Sequence, residues 1–293
     1  KFLESKKYNF NIYFSDNPLG INKPRDYEVL VEKYKKKLIK NYGFWVFKKH
    51  LVWQTDVIKI CISQKMDTVI FNGEMNCLTN WIGSIICKLR KIKVIHWGHG
   101  FYGNESLLKL FLRKSFYSLA DIHLVYGNRS RKLFDKNNFD ISKVHVIYNS
   151  INSLNSKSGV KTKIYKYDLF SNNNLPVILF IGRLTKQKKI DLLIESVNEI
   201  NDKKTYLNLL IIGDGPERYY LNKISENGLK KKEIYFYGSE HKEKTLFQLI
   251  SNATLCVSPG EIGLTSIHCL SYGLAVASQD NSTNQMPEAE VIK

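Results

Sequence analysis

Val177-Ile178-Leu179-Phe180-Ile181 runs without a polar interruption into Gly182-Arg183-Leu184-Thr185-Lys186-Gln187-Lys188-Lys189. Five consecutive apolar residues, three of them β-branched and closed by a glycine, read as a strand buried on both faces rather than one with a solvated side. Residues 188–201 then place apolar side chains at helical spacing. A buried strand followed by an amphipathic helix is half of a βαβ unit, which implies a parallel sheet covered by helices.

The same alternation extends in both directions. Upstream, strands are expected over residues 11–14, 68–72, 93–96, 122–126 and 144–148. Downstream they are expected over 207–212, 233–237, 255–257 and 275–277, with helices over 218–227 and 244–251. Residues 152–174 break the pattern: they are rich in Ser, Asn and Lys, with few large apolar side chains outside 164–170. The expected fold class is therefore α/β. It consists of two Rossmann-like, doubly wound domains facing a cleft, over 1–152 and 175–293, with 153–174 as the linker. In such folds ligands bind beyond the carboxyl ends of the strands, so the segments after each strand are the informative ones.

Composition bounds the possibilities. The chain has 293 residues, 43% hydrophobic and 12% aromatic, which excludes a mostly disordered protein and allows a sizeable core. Its 44 Lys and Arg against 27 Asp and Glu give a net charge of +17. Only seven of the basic residues are Arg, the side chain best suited to forks on bases and phosphates, and the Lys excess travels with many Asn and Ile. A nucleic-acid partner is therefore not expected, whereas a phosphate-bearing substrate or an anionic membrane surface accounts for the charge. The five cysteines (Cys61, Cys77, Cys87, Cys256, Cys269) have no C-x-x-C spacing, which points to a reducing compartment and no structural zinc. No apolar run reaches about 18 residues, so no spanning helix is expected, and no secretory leader is read at the start. The first residue is Lys1 and the last, Lys293, follows a strand-like run; the expectation is that one or both natural ends lie outside this stretch.

Three segments carry chemistry in the second half. Gly182-Arg183 with Lys188 five residues on sets two cations at the mouth of the sheet, which suits a pyrophosphate, although a solvated basic loop fits the same residues. Gly213-Asp214-Gly215-Pro216 follows the next strand; its glycines permit a tight turn close to a ligand, but it lacks the third glycine and the later acid of a dinucleotide fingerprint, which disfavours a nicotinamide dehydrogenase. Ser258-Pro259-Gly260-Glu261-Ile262-Gly263-Leu264-Thr265-Ser266-Ile267-His268 leads from a strand through a glycine-rich loop into a short helix. The first N–H groups of that helix form an anion site, with the Thr265 and Ser266 hydroxyls as further donors.

In this order, G-R-L…K, G-x-G-P, the loop before Gly263-Leu264, Gly273-Leu274-Ala275-Val276 and Pro287-Glu288 resemble the donor domain of the family 4 retaining glycosyltransferases, which have the GT-B fold. The resemblance covers residues 175–293 well and the first half loosely, where Val146-Ile147-Tyr148-Asn149-Ser150-Ile151-Asn152 is similar to the family's V-I-x-N-G-I-D. It implies that Arg183 and Lys188 clamp a donor diphosphate. It also implies that Gly263, Leu264 and Thr265 hold phosphate through backbone N–H groups, and that Gly182, Gly213 and Gly215 line the donor site. The family's two glutamates, eight positions apart, would fall at 260 and 268. Here those positions hold Gly260 and His268, so Glu261, one place out of register, and His268 are the candidate replacements, and the chain reads as an atypical branch.

In the first half, Trp97-Gly98-His99-Gly100-Phe101-Tyr102-Gly103 follows a strand. Members of the family often carry a histidine there, near the transferring sugar, and the resemblance aligns His99 with it; Gly98, Gly100 and Glu74 are the other acceptor-side candidates. A plain turn with Glu74 exposed is the simpler reading of Asn72-Gly73-Glu74, and His96 reads as structural. No D-x-D occurs. The resemblance thus implies a metal-independent glycosyltransferase of hexosyl type, with no cofactor beyond the nucleotide-diphosphate sugar as co-substrate. It would move the sugar with retention to a hydroxyl acceptor on a carbohydrate or lipid-linked glycan in surface polysaccharide synthesis. It would sit in the cytoplasm, peripherally on the inner face of the plasma membrane. The rivals are a sugar-nucleotide epimerase of the same fold and a non-catalytic nucleotide-sugar-binding or scaffold protein. Residues 33–53 interleave lysines with Phe44, Trp45, Phe47 and Trp53, and read either as an interfacial helix or as a solvated basic surface over a buried aromatic face.

Overall fold

The protein is described from a computed structural model covering residues 11–15, 38–41, 43–46, 51–151, 168–204, 206–281 and 285–292. The chain divides into two compact units, Lys1–Val125 with Ser130–Val146, and Tyr126–Arg129 with Ile147–Lys293. Each unit is built on a parallel sheet.

In the first unit, β1 (Ile12–Ser15) pairs in parallel with β2 (Leu38–Asn41), and β3 (Gly43–Val46) pairs antiparallel with β4 (Leu51–Gln54). The interfacial-helix reading of residues 33–53 is therefore corrected: wherever this segment is described it is strand, and residues 33–37, 42 and 47–50 lie outside the described residues. The clustered aromatic and β-branched residues favour a pleated backbone, and Asn41 and Gly43 flank the break between the strands. The main sheet runs β5 (Thr68–Asn72), β6 (Lys93–Gly98), β7 (Ile122–Val125) and β8 (Val144–Val146), all parallel and in sequence order. Helices α1 (Thr55–Ser63), α2 (Leu78–Leu89), α3 (Leu107–Tyr117) and α4 (Asn128–Lys136) accompany it. One core cluster holds Cys61, Phe71, Cys87 and Val94; another holds Phe101, Phe116, Tyr117 and Phe134.

In the second unit, β9 (Val177–Ile181), β10 (Asn208–Ile212), β11 (Ile234–Gly238), β12 (Leu255–Ser258) and β13 (Val276–Ser278) form one parallel sheet in the order β11-β10-β9-β12-β13. Helices α5 (Ile190–Lys203), α6 (Arg218–Ile224), α7 (Glu226–Lys230), α8 (Glu243–Ser251) and α9 (Thr265–Ser271) connect them. Two core clusters, one with Leu179, Leu210 and Ile212 and one with Phe180, Leu209 and Ile211, share alternate residues of β9 and β10, as a strand covered on both faces requires. β10 is buried along its whole length. Of the expected linker, 153–167 lies outside the described residues, while Phe170 is buried in the second unit's core at 4% exposure. Every expected strand agrees with an observed one to within two residues at each end; one of the largest differences is in residues 144–148, where the strand stops at Val146 and Tyr148 takes a left-handed backbone with φ of 54°. All five cysteines are free and buried.

Candidate functional site

The donor-side candidates gather at the carboxyl edge of the second unit's sheet. β9 ends in Gly182, and Arg183 is exposed on the loop that follows. The loop is held down by its neighbour: Gly182 N–H donates to the Ile212 carbonyl at 3.0 Å and Leu184 N–H to the Asp214 carbonyl at 3.0 Å. At Gly213, with φ of +139°, a Cβ would fall 1.9 Å from the Gly182 carbonyl oxygen, and at Gly215 one would fall 2.3 Å from that of Leu184. The glycines of G-x-G-P are thus required by close packing of two loops of the protein, a different reason from the ligand approach expected of them.

Lys188 does not open the helix as expected. It closes a 3-10 turn, Lys186–Lys188, and Lys189 at φ of 50° resets the backbone before α5 begins at Ile190. The turn presents Lys188 to the loop after β12. Its ammonium donates to the Glu261 carbonyl at 2.8 Å and lies 3.7 Å from the Glu261 carboxylate. Burial lowers the Lys188 pKa below its usual value, and the carboxylates of Glu261 and Glu288 oppose that shift. The two loops also meet through their backbones: Gly260 N–H donates to the Lys188 carbonyl at 3.0 Å and Glu261 N–H to that of Gln187 at 3.2 Å. A Cβ at position 260 would sit 2.0 Å from the Gln187 carbonyl oxygen, so no glutamate fits there in this arrangement, and the carboxylate beside Lys188 comes from the next residue.

Beyond Glu261 the backbone is open. At Gly263 a Cβ would meet nothing closer than 3.9 Å. The N–H groups of Gly263, Leu264 and Thr265 have no hydrogen-bond partner among the described residues, while the next one, Ser266 N–H, turns back to the Gly263 carbonyl at 3.0 Å. The hydroxyls expected beside them are not available as donors. Thr265 Oγ1 donates to the Ile181 carbonyl at 3.0 Å, and the buried Ser266 Oγ to the carbonyls of Gly263 at 2.9 Å and Glu288 at 3.0 Å. Each satisfies a backbone acceptor where a strand or turn ends, a demand invisible in the linear sequence.

His268 is neither a simple packing residue nor unpartnered: Nε2 lies 2.7 Å from Glu243 Oε1, the oxygen to which the Tyr272 hydroxyl also donates. Sequence reasoning missed Glu243 and Tyr272, because the contact joins residues 25 and 29 positions apart across α8 and α9. It named Glu288 only as part of a motif. Glu288 is 5% exposed; its Oε1 accepts from Asn149 Nδ2 at 2.8 Å, and its buried Oε2 has no hydrogen-bond partner among the described residues. A groove of about 510 Å³ lined by Thr185, Lys186, Lys189, Asp191, Glu217 and Tyr220 lies in the same unit but includes none of the expected donor residues.

The acceptor-side candidates gather at the carboxyl end of β6. The strand continues two residues past its expected end, so Gly98 belongs to the strand and not to the loop. It lies against Gly73, whose N–H donates to the Trp97 carbonyl at 2.8 Å; a Cβ on Gly98 would come 3.3 Å from the Gly73 Cα. Glu74 is half-buried rather than exposed, and its charge acts on Tyr102 and Tyr117. The His99 ring stacks on Tyr102, 6.2 Å between centroids, and its carbonyl accepts from the Ser130 hydroxyl. Gly100 has φ of +74°, and a Cβ there would sit 2.7 Å from Ser130 Oγ, so both backbone and space demand glycine.

This loop is clamped by two residues that sequence reasoning did not single out. Glu105 accepts from the N–H groups of Tyr102 at 2.7 Å and Gly103 at 2.8 Å, and its carboxylate lies 3.4 Å from Arg113 Nε. Arg113 donates to the Gly100 carbonyl at 2.7 Å and lies over the Tyr102 ring at 4.6 Å. Burial alone would raise the Glu105 pKa; the backbone N–H groups and Arg113 together bring it below the usual carboxylate range. His96, read as structural, is 2% exposed and stacked on Phe116 at 4.3 Å. Among the described residues no three His, Cys, Asp or Glu side chains form a metal-binding group.

Known proteins share this architecture. Residues 162–288 match the model of the family described as "Glycosyl transferases group 1". Similar solved structures include Anabaena HepE in complex with UDP, at 15% identity and a TM-score of 0.65 over 97% of this chain and 83% of that one. The apo form of a lipopolysaccharide outer core galactosyltransferase, WaaB, aligns at 18% identity with a TM-score of 0.60, over 88% and 68% of the two chains. The fold is therefore GT-B, and the match to the group 1 family model lies within the stretch that carries the second unit's sheet.

Among curated proteins, an uncharacterized glycosyltransferase of Methanocaldococcus jannaschii is 25% identical over 68% of this chain and 54% of its own length. The alpha-D-kanosaminyltransferase of Streptomyces kanamyceticus is 27% identical over 39% of this chain and 30% of that protein. The chain spans about half the length of the first two curated relatives it matches, 54% and 45%.

Proposed function

We propose that this protein transfers a hexose from a nucleotide-diphosphate donor to a hydroxyl of a carbohydrate or lipid-linked glycan acceptor. Transfer proceeds with retention and without a metal ion, at the inner face of a membrane, in surface-polysaccharide synthesis. One observation carries the reading. At the carboxyl edge of β9, a partly buried Lys188 ammonium, an exposed Arg183 guanidinium and three backbone N–H groups over Gly263–Thr265, without a partner among the described residues, belong to two loops bonded to each other. Preorganised donors of that kind suit the charge that develops on a diphosphate leaving group, and they need no rearrangement as the bond to the sugar breaks. Burial lowers the Lys188 pKa, and Glu261 and Glu288 oppose that shift, which favours the charged ammonium that this role needs. His99, on its clamped loop, orients the sugar or the acceptor. Several structural neighbours were solved with UDP or UDP-glucose, which supports a uridine nucleotide as the first donor to try.

The test is a screen of nucleotide sugars for nucleotide release, with Arg183→Ala and His99→Ala beside the parent. Loss of one diphosphate contact should slow release about 10²–10³-fold, by the magnitude of a lost oxyanion donor. Release from Arg183→Ala at the parental rate would remove the clamp from the mechanism. Conversion of the donor to its epimer, with no glycoside formed, would replace transfer by epimerisation. Donor binding that is absent throughout and unaltered by Arg183→Ala would leave a scaffold.

A further inference from the structure

The α2–α3 side of the first unit carries a surface that the proposed reaction does not use. α3 packs inward through Arg113, Phe116 and Tyr117. Helical periodicity makes its opposite face the solvent side, where polar residues belong. That face instead holds Leu107, Leu108 and Phe111, which are 87%, 71% and 66% exposed. α2 lies beside α3, tied to it by the Trp81–Phe116 ring contact at 5.1 Å and by Lys88 Nζ donating to the Ser118 carbonyl at 3.2 Å. α2 also turns apolar side chains outward: Ile85 is 46% and Leu89 80% exposed. Large aliphatic groups displayed on two adjacent helices mark a contact surface rather than scattered exposure.

The charges around this surface identify the occupant. Residues 75–120 contain seven Lys and Arg and a single acidic residue, Glu105. Glu105 is 5% exposed and paired with Arg113, so it puts no negative charge on the outside. Lys88 and Lys109 are exposed beside the apolar residues. An apolar face with exposed lysines beside it, in a segment whose single carboxylate is buried, fits the headgroup region of an anionic bilayer, where aliphatic side chains enter the acyl boundary and ammonium groups meet lipid phosphates.

We infer that the outer face of α2 and α3 docks the protein on an anionic lipid surface, with Leu107, Leu108 and Phe111 inserted at the headgroup–acyl boundary and Lys88 and Lys109 against the headgroups. This gives the peripheral location in the proposed function a specific surface, and it rests on the geometry of this face alone, not on the donor chemistry.

The test is co-sedimentation of the 293-residue chain with sucrose-loaded vesicles of phosphatidylcholine, with or without phosphatidylglycerol. The parent should pellet with the anionic vesicles only, and less so as salt is raised. Leu108→Glu/Phe111→Glu should bind at least about tenfold more weakly, since two large side chains lose their burial. Lys88→Gln/Lys109→Gln should lose about fivefold per lysine. All of these side chains are exposed, so urea midpoints at the parental value accompany the expected result. A parent that stays in the supernatant with anionic vesicles, or a Leu108→Glu/Phe111→Glu variant that pellets like the parent, overturns the inference. So does a parent that light scattering finds dimeric and that the same variant turns monomeric with vesicle binding intact, because the occupant would then be a second copy. Nucleotide release is measured on the same samples. Its absence alongside anionic-vesicle binding that the double variant abolishes would count against the proposed reaction and in favour of this surface.

Discussion

Acidification from about pH 7.5 to about pH 5 should remove about 4 kcal/mol of stability from the first unit, through two buried histidines. His96 is 2% exposed, stacked on Phe116, with Nε2 at 3.1 Å from Ser84 Oγ; His123 is 4% exposed, packed 4.6 Å from the Phe134 ring. Burial, helped by His123 and Lys88, lowers the His96 pKa to about 3 from 6.5, and burial lowers that of His123 to about 4. The sign follows from which state takes up the proton. Below 6.5 the unfolded chain binds a proton at each histidine while the folded unit does not. Stability is therefore complete above 6.5 and falls as the pH drops towards 4 for His123 and 3 for His96. At about pH 5 both folded sites are still neutral, and each costs roughly 1.5 pH units at about 1.36 kcal/mol per unit, or about 2 kcal/mol. For a domain of about 5–15 kcal/mol that is a large fraction.

All four tryptophans, Trp45, Trp53, Trp81 and Trp97, lie in the first unit, so urea unfolding followed by tryptophan fluorescence reports on it directly. The midpoint should fall sharply at the lower pH, and His96→Phe/His123→Phe should flatten the dependence. Equal midpoints at the two pH values, or His96 and His123 resonances of the folded protein titrating near 6.5, would refute the reasoning.

Three further outcomes are expected. Gly260→Ala forces a methyl group to within 2.0 Å of the Gln187 carbonyl oxygen; overpacking of this kind costs about 1–3 kcal/mol, so the thermal midpoint should drop and nucleotide release should fall as Lys188 is displaced. Glu105→Ala leaves the buried Arg113 without its carboxylate and two loop N–H groups without their acceptor, and it should cost about 3–5 kcal/mol in urea unfolding while slowing any step that needs His99. Glu288→Gln removes a charge that raises the Lys188 pKa, so the alkaline limb of the pH–rate profile should move to lower pH; an unshifted limb would separate the two groups.

The alternation of short apolar runs with amphipathic stretches was sufficient for the α/β class and for most strand positions, because a strand buried on both faces leaves a continuous apolar signature. Of the two readings of residues 33–53 the interfacial helix fails, because lysines between aromatics mimic such a helix although the described backbone is strand. Arg183 and Lys188 were visible as cations after a strand. That Lys188 ends a 3-10 turn and grips Glu261 was not, because the grip spans 73 positions. The missing glutamates could be counted from the sequence, but the reason for Gly260 is the backbone pressed against it.

Local pattern therefore settled the fold, the GT-B resemblance and the list of chemically apt residues. Those properties depend on side-chain type and on spacing within one element. Tertiary packing alone decided which of those residues are available. It tied Thr265 and Ser266 to backbone carbonyls, paired His268 with Glu243, locked His99 on a loop held by Glu105 and Arg113, and left Glu288 with a buried oxygen facing no described donor. Hydrogen-bond satisfaction and exclusion of overlap act between segments far apart in the chain, so no reading of one segment contains them.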